Sequence, residues 1–182
     1  MQPVQPVQPV SSWPSGRSLH GGVDEIPLPP VIAGRLWLCG KQFIAPDPEA
    51  ALAEVNADVA VCLSEAAELV ERYPNYVEWL AIHQPDRALW WPIPDLGAPD
   101  VDSALDLLDQ LRRRLEAGQT LLVHCGAGIG RAGTIAAGLL ITMGYTPDEA
   151  ISLVAAHRPM AGPEAGSQTE LLDELSVRLS SA

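Results

Sequence analysis

The stretch TLLVHCGAGIGRAGTIAAGLL, residues 120–140, decides the fold. An apolar run ends in His124 and Cys125, five residues then lead to Arg131, and three of those five are glycine. A second apolar, Ala-rich run follows. A strand without polar alternation is covered on both faces, so 120–125 reads as a central strand of a parallel sheet. The run after Arg131 reads as a helix. The chain thus places a cysteine, a glycine-rich turn and an arginine where a buried strand meets a buried helix.

Working outward, RLWLCG (35–40), DVAVCL (58–63) and RALWWPI (87–93) read as further strands, the last cut off by Pro92 and Pro94. Helices are expected at 47–57, with Asp47 as N-cap and Pro48 at the first helical position, and at 64–73, 75–82, 101–118, 131–144, 146–158 and 167–179. In 101–118, Asp100 is the expected cap. Val101, Leu105, Leu108, Leu111 and Leu115 share one face, and Gly118 provides the stop. Strands alternating with helices imply an α/β fold, a mostly parallel central sheet flanked by helices. Residues 1–25, which open on three Gln-Pro-Val repeats, are too poor in apolar surface to offset ordering entropy and read as a disordered Pro/Gln/Ser-rich tail. Residues 26–182 are the expected folded domain.

The 182 residues carry a formal charge of −12, with 11 Lys and Arg against 23 Asp and Glu. Such a chain is a poor nucleic-acid or anionic-membrane binder, so an anionic substrate must be captured by a local site. The three cysteines, Cys39, Cys62 and Cys125, make no disulfide framework, and no Cys or His spacing marks a metal site. No secretory signal and no apolar run of the roughly 20 residues needed for a membrane span is visible. The expectation is a cytoplasmic, reduced protein without metal or cofactor.

Three readings of the glycine turn compete. A tight strand-to-helix turn needs glycine but leaves Cys125 and Arg131 unexplained. Gly128, Gly130 and Gly133 match a dinucleotide fingerprint, but the turn starts too late after the strand. Asp148 and Glu149, at the distance of the expected acidic residue, open a helix instead of ending a strand. The third reading is a phosphate-binding catalytic loop. The strand delivers Cys125 to its C-terminal edge. Glycines let the N–H groups of Gly126, Ala127, Gly128, Ile129 and Gly130 turn inward as an anion nest, and the next helix adds positive potential. Arg131 closes the ring with a planar fork. The same field favours a nucleophilic thiolate.

HCGAGIGRAGT resembles the His-Cys-x5-Arg signature of the cysteine-based protein tyrosine phosphatase superfamily. PIPDLGAPD (92–100) is similar to the general-acid loop of its dual-specificity branch, especially the kinase-associated phosphatases. RPMAGPEAGSQTELL resembles the downstream segment that supplies a glutamine, and VAVCLSEAAEL fits the upstream strand-to-loop passage. The resemblance covers about 31–180 and implies a compact dual-specificity phosphatase fold. It also implies metal-independent phosphomonoester hydrolysis through a phosphocysteine, on phosphotyrosine and/or phosphoserine/threonine. No segment like the phosphotyrosine-recognition loop of larger tyrosine phosphatases is seen, which favours a shallow cleft. The acidic body and the absence of lysines at Ala127 and Ile129 weigh against phosphoinositides. The rivals are a phosphate-binding scaffold of the same fold, a phosphatase of non-protein phosphoesters and a sulfurtransferase.

The resemblance assigns Cys125 as nucleophile, Arg131 as oxyanion clamp and Asp95 as general acid, with Asp100 the weaker candidate because it also serves as a cap. The resemblance gives His124 the role of steadying the loop, against a simply buried histidine, and Gln168 that of positioning water, against an exposed polar residue at a helix start. Arg158 either assists substrate binding or caps its helix. Arg112, Arg113 and Arg114 read as a solvated face, and of Trp90 and Trp91 one is expected in the core. Cys62 is expected either as a small buried hydrophobe or near Cys125 at the strand ends, where it could form a reversible disulfide with it. One departure stands out. Where most members carry Ser or Thr after the arginine, this chain has Ala132, leaving only Thr134 or a loop water as a substitute donor to the sulfur.

Overall fold

The computed structural model describes residues 17–181. The Gln-Pro-Val repeats lie outside the described residues. At the centre is β5 (Thr120–Cys125), every residue of which is buried. It pairs in parallel with β2 (Arg35–Gly40) on one side and β3 (Val59–Cys62) on the other. Beyond β3 lies parallel β4 (Ala88–Trp90), and beyond β2 lies antiparallel β1 (Val23–Ile26), giving the order β1-β2-β5-β3-β4.

Alternation along the strands divides the core. Leu36, Leu38, Val59, Val61, Leu121 and Val123 pack with α5 (Val101–Glu116), α6 (Gly130–Thr142), α7 (Pro147–His157) and α8 (Gly166–Ser180). Cys39, Ala60, Cys62 and Leu122 face α2 (Lys41–Ile44), α3 (Pro48–Glu54) and α4 (Pro74–His83). Helix α6 is buried from Gly130 to Ile141, because the sheet and three helices surround it. Its small residues permit that approach: Gly138 lies against Leu108 and Leu175.

The expected caps form. Asp47 accepts from the N–H of Ala50, Asp100 from that of Ser103, and Thr146 and Glu149 make a reciprocal box at the start of α7. The buried face of α5 is centred on Ala104, Leu107, Leu108, Leu111 and Leu115, while Val101 and Leu105 lie half-buried at its margin.

Four expectations are corrected. The folded region starts before residue 26: a one-turn helix α1 (Arg17–His20) precedes β1. The strand is short and acidic, so its edge position conceals it in the sequence. Segment 64–73 is not a continuous helix but a 3-10 turn, Ala66–Glu68, followed by further turns. Tyr73 precedes Pro74, which disfavours helical backbone there, and it takes φ −130° and ψ 53°. The arginine run is not merely solvated. Arg112 donates to the Thr142 carbonyl at 2.6 Å and Arg114 to that of Pro85 at 2.6 Å, tying α5 to neighbouring segments. Trp90 and Trp91 are both half-buried, each packed against a different layer.

Candidate active site

The turn from β5 to α6 orients its peptide groups in one sense. Among the described residues, the N–H groups of Gly126, Ala127, Gly128 and Ile129 have no protein acceptor, and Gly130 and Arg131 open α6, where N–H groups lack helical partners. The carbonyls all point away and are satisfied. That of Gly126 accepts from the N–H of Lys41 at 3.0 Å, and that of Ile129 from Gly133 at 2.9 Å and Gly162 at 3.2 Å. Those of Ala127 and Gly128 accept from Arg158, at 2.8 Å from Nη2 and 2.6 Å from Nε. Gly128 makes the turn at φ +73°, and any Cβ there would strike the Cys39 carbonyl. The result is a ring of inward N–H groups at a helix N-terminus, an anion site.

Arg158 is therefore neither a substrate contact nor a helix cap through its side chain. It is 2% exposed, lies behind the loop and is paired with Asp24 of β1 at 2.6 Å. Arg17 also pairs with Asp24. The missed strand thus supplies the counter-charge of the loop's support.

Arg131 lies at the opening of α6, 3% exposed. Its Nη1 and Nη2 donate to the two carboxylate oxygens of Glu68, at 2.7 and 2.8 Å, and Nη1 also donates to the Ile93 carbonyl at 2.8 Å. Burial is the largest influence and opposes the guanidinium charge, but the Glu68 hydrogen bonds together with the negative charge of Glu68, Cys125 and Asp95 outweigh it and raise the Arg131 pKa. Arg131 in turn lowers the Glu68 pKa. The end-on fork is thus filled. The side-on fork, Nε–H with the second Nη2 hydrogen, remains for a ligand, and Asp95 Oδ1 stands 3.1 Å from Nη2. Losing one partner of such a buried pair typically costs about 3–5 kcal/mol.

Beneath Cys125, Tyr76 of α4 donates to His124 Nε2 at 2.6 Å, and His124 Nδ1–H lies 3.4 Å from the Cys125 carbonyl. Burial pushes the His124 pKa down to about 4 and that of Tyr76 well up, so both are neutral. His124 steadies the loop as a neutral ring.

The cleft is lined by Lys41, Glu68, Asp95, Leu96, Cys125, Gly126, Ala127, Gly130, Arg131 and Glu164, and has a volume of about 360 Å³. The structure brings Cys125, Arg131 and Asp95 together here. Asp100 is absent from this lining and caps α5 with Ser103. Gln168 is also absent. It is fully buried, its Oε1 accepts from the Glu164 N–H at 2.7 Å, and its Nε2 donates to the Gly97 carbonyl at 3.1 Å. Cys62 pairs across the sheet with His124, not Cys125, and its side chain faces the opposite layer. Burial pushes its thiol up to about 12. Ala132 is fully buried, and the Thr134 hydroxyl is buried without a hydrogen-bond partner among the described residues, so Thr134 does not replace the missing donor. Sequence reasoning missed Glu68, hidden in a helix-like run, and Tyr76, Lys41 and Glu164, which carry no local signal.

Residues 34–177 match the PTP-SAK family, described as the Swiss Army Knife protein DSP-PTPase phosphatase domain. The chain belongs to this family. Among curated relatives, it is 34% identical over 96 residues to cyclin-dependent kinase inhibitor 3 of Sus scrofa, covering 50% of this chain and 45% of the relative. It is 36% identical over 88 residues to dual specificity protein phosphatase 5 of Homo sapiens, covering 46% of this chain and 22% of the relative. The matched segments thus span less than half the length of either relative. A solved structure of kinase-associated phosphatase, with the catalytic-site cysteine replaced by serine, superposes with a TM-score of 0.73 at 22% identity, covering 88% of this chain and 97% of that one. The dual-specificity phosphatase fold is therefore shared.

Two outcomes are expected within this family frame. His124 has a folded pKa near 4 against an ordinary 6.5, so the unfolded chain binds the proton more readily between those values. Stability is complete above about pH 6.5 and falls toward pH 4, by roughly 3 kcal/mol at full extent. Urea denaturation across this range measures it, and His124→Gln flattens that portion of the curve. Arg158→Met removes both donors behind the loop while Arg17 stays with Asp24. Inorganic phosphate affinity, by calorimetry, should fall at least about tenfold, with a stability loss of about 2–5 kcal/mol from the stranded carbonyls. Unchanged phosphate affinity would show that the loop holds its shape alone.

Proposed function

We propose that this chain is a metal-independent phosphomonoesterase acting through a phosphocysteine on protein phosphotyrosine and/or phosphoserine/threonine. The observation that carries it is the loop of inward, unpartnered N–H groups beside Cys125, with every loop carbonyl engaged on the outside. Substrate phosphate takes the side-on fork of Arg131 and displaces Asp95 from Nη2. The Cys125 thiolate attacks phosphorus, the P–O bond to the leaving group breaks, and Asp95 delivers a proton to the departing oxygen. Water then attacks phosphorus, the S–P bond breaks, and inorganic phosphate leaves. The loop amides and Arg131 hold the three non-bridging oxygens in both steps.

Hydrolysis of an aryl phosphate in EDTA tests the assignment. Wild type should turn over and Cys125→Ser should not. Equal rates remove the nucleophile, and a need for added metal removes the mechanism. Asp95→Asn should lose on the order of 10²–10⁴-fold with an alkyl phosphate and far less with an activated aryl phosphate. Equal small losses on both would take the proton from elsewhere.

Ala132 generates a separate expectation. A hydrogen bond to a charged sulfur contributes roughly 1.5–3 kcal/mol, and neither Ala132 nor Thr134 makes one. The phosphocysteine should therefore accumulate and give a pre-steady-state burst. Ala132→Ser should speed the second step roughly ten- to a hundredfold and diminish the burst. No burst in the native protein, and no gain in the variant, would show that this hydroxyl does not limit turnover.

A further inference from the structure

Breakdown of a phosphocysteine requires a group that accepts the proton of the attacking water, within hydrogen-bond reach of that water. Three carboxylates line the cleft. Glu68 is committed to Arg131 through both its oxygens. Asp95 stands at Arg131 Nη2, where a phosphate oxygen competes for the same donor. Glu164, on the turn between α7 and α8, is exposed at the cleft, and no described residue donates to its carboxylate. It lies directly against the start of α6, since a Cβ on Gly130 would collide with its carboxylate. The missing side chain at Gly130 is what admits it. Its backbone is fixed by Gln168, whose side chain is fully buried and bonded to the Glu164 N–H and the Gly97 carbonyl. Gln168 is thus buried behind the cleft and does not line it, and the same bonds join Glu164 to the loop that carries Asp95.

Resting on the phosphomonoesterase reading above, we propose that Glu164 is the base of the hydrolytic step and that Gln168 is its positioning residue. Water oxygen bonds to phosphorus as the S–P bond breaks. The bonding pair returns to Cys125 Sγ as thiolate, one water proton passes to a Glu164 carboxylate oxygen, and the product leaves as inorganic phosphate. Asp95 remains the donor of the first step, so two carboxylates divide the proton transfers. Lys41, Glu68, Asp95, Cys125 and Arg131 are the other charged or titratable groups facing the cleft.

Rapid-quench kinetics with an activated aryl phosphate separates the two steps in the full-length protein. Glu164→Gln should leave the burst rate within about twofold of wild type and slow phosphocysteine breakdown by on the order of 10²-fold or more. Glu164→Asp should restore part of that loss. Gln168→Met should slow breakdown with the burst rate retained, a split that general loss of structure does not produce. The proposal is overturned if Glu164→Gln breaks down its phosphocysteine at the wild-type rate, or if both steps slow equally. If wild type forms no phosphocysteine at all, the phosphomonoesterase reading falls, and this proposal with it. Wild type with a normal phosphocysteine and Glu164→Gln without a breakdown defect leaves that reading standing and removes only Glu164.

Discussion

A loop that turns its N–H groups inward must turn its carbonyls outward, and those carbonyls then need donors of their own. This constraint organises the structure around Cys125. The donors come from distant points of the chain: the N–H of Lys41 where β2 ends, the guanidinium of Arg158 after α7, and the N–H groups of Gly133 and Gly162. Parallel pairing of β2 with β5 brings Gly40 beside Cys125, so the loop rests on a neighbouring strand end. The strand order is thus what makes an anion site possible at this edge. The ring of free amides is the visible part of a hydrogen-bond arrangement that includes both layers flanking the sheet.

The charges follow the same logic. A guanidinium as buried as Arg131 is costly unless paired, and Glu68 supplies the pair through both of its oxygens. Arg158 is paired with Asp24 in the same manner. Each of these arginines has a carboxylate partner, Asp24 being shared with Arg17, within a chain of net charge −12. Binding of a phosphate therefore depends on short-range donors and not on long-range attraction. Asp95 also stands against Arg131, so in the proposed mechanism substrate entry exchanges one anion for another.

The sequence made β5, its cysteine, the glycine turn and Arg131 legible because chemistry and periodicity coincide within a dozen residues. Asp95 was legible through the loop around it, and Asp47, Asp100 and Thr146 through cap chemistry. What stayed hidden depends on tertiary pairing. Glu68 sits in an Ala- and Glu-rich run that reads as helix, and its value lies in an arginine 63 positions later. Strand β1 has only four residues and mixed polarity, so nothing local marks it. Gln168 was visible as a residue type, but its burial and the commitment of its amide to two backbone groups were not. Cys62 was placed correctly at its strand end, yet register sets the face, and pairing with His124 turns it away.

The outermost strand carries more than its length suggests. Edge strands are held along one side only and open at lower free energy than the core they border. Here that strand holds Asp24, and Asp24 holds the arginine beneath the anion-binding turn. Fraying of four residues at the sheet margin removes the counter-ion of Arg158 while β5 and α6 stay folded. Such an opening would give the site a local equilibrium separate from global unfolding. A ligand held by the ring of amides should slow hydrogen exchange at Val23–Ile26, far along the chain from any atom it touches.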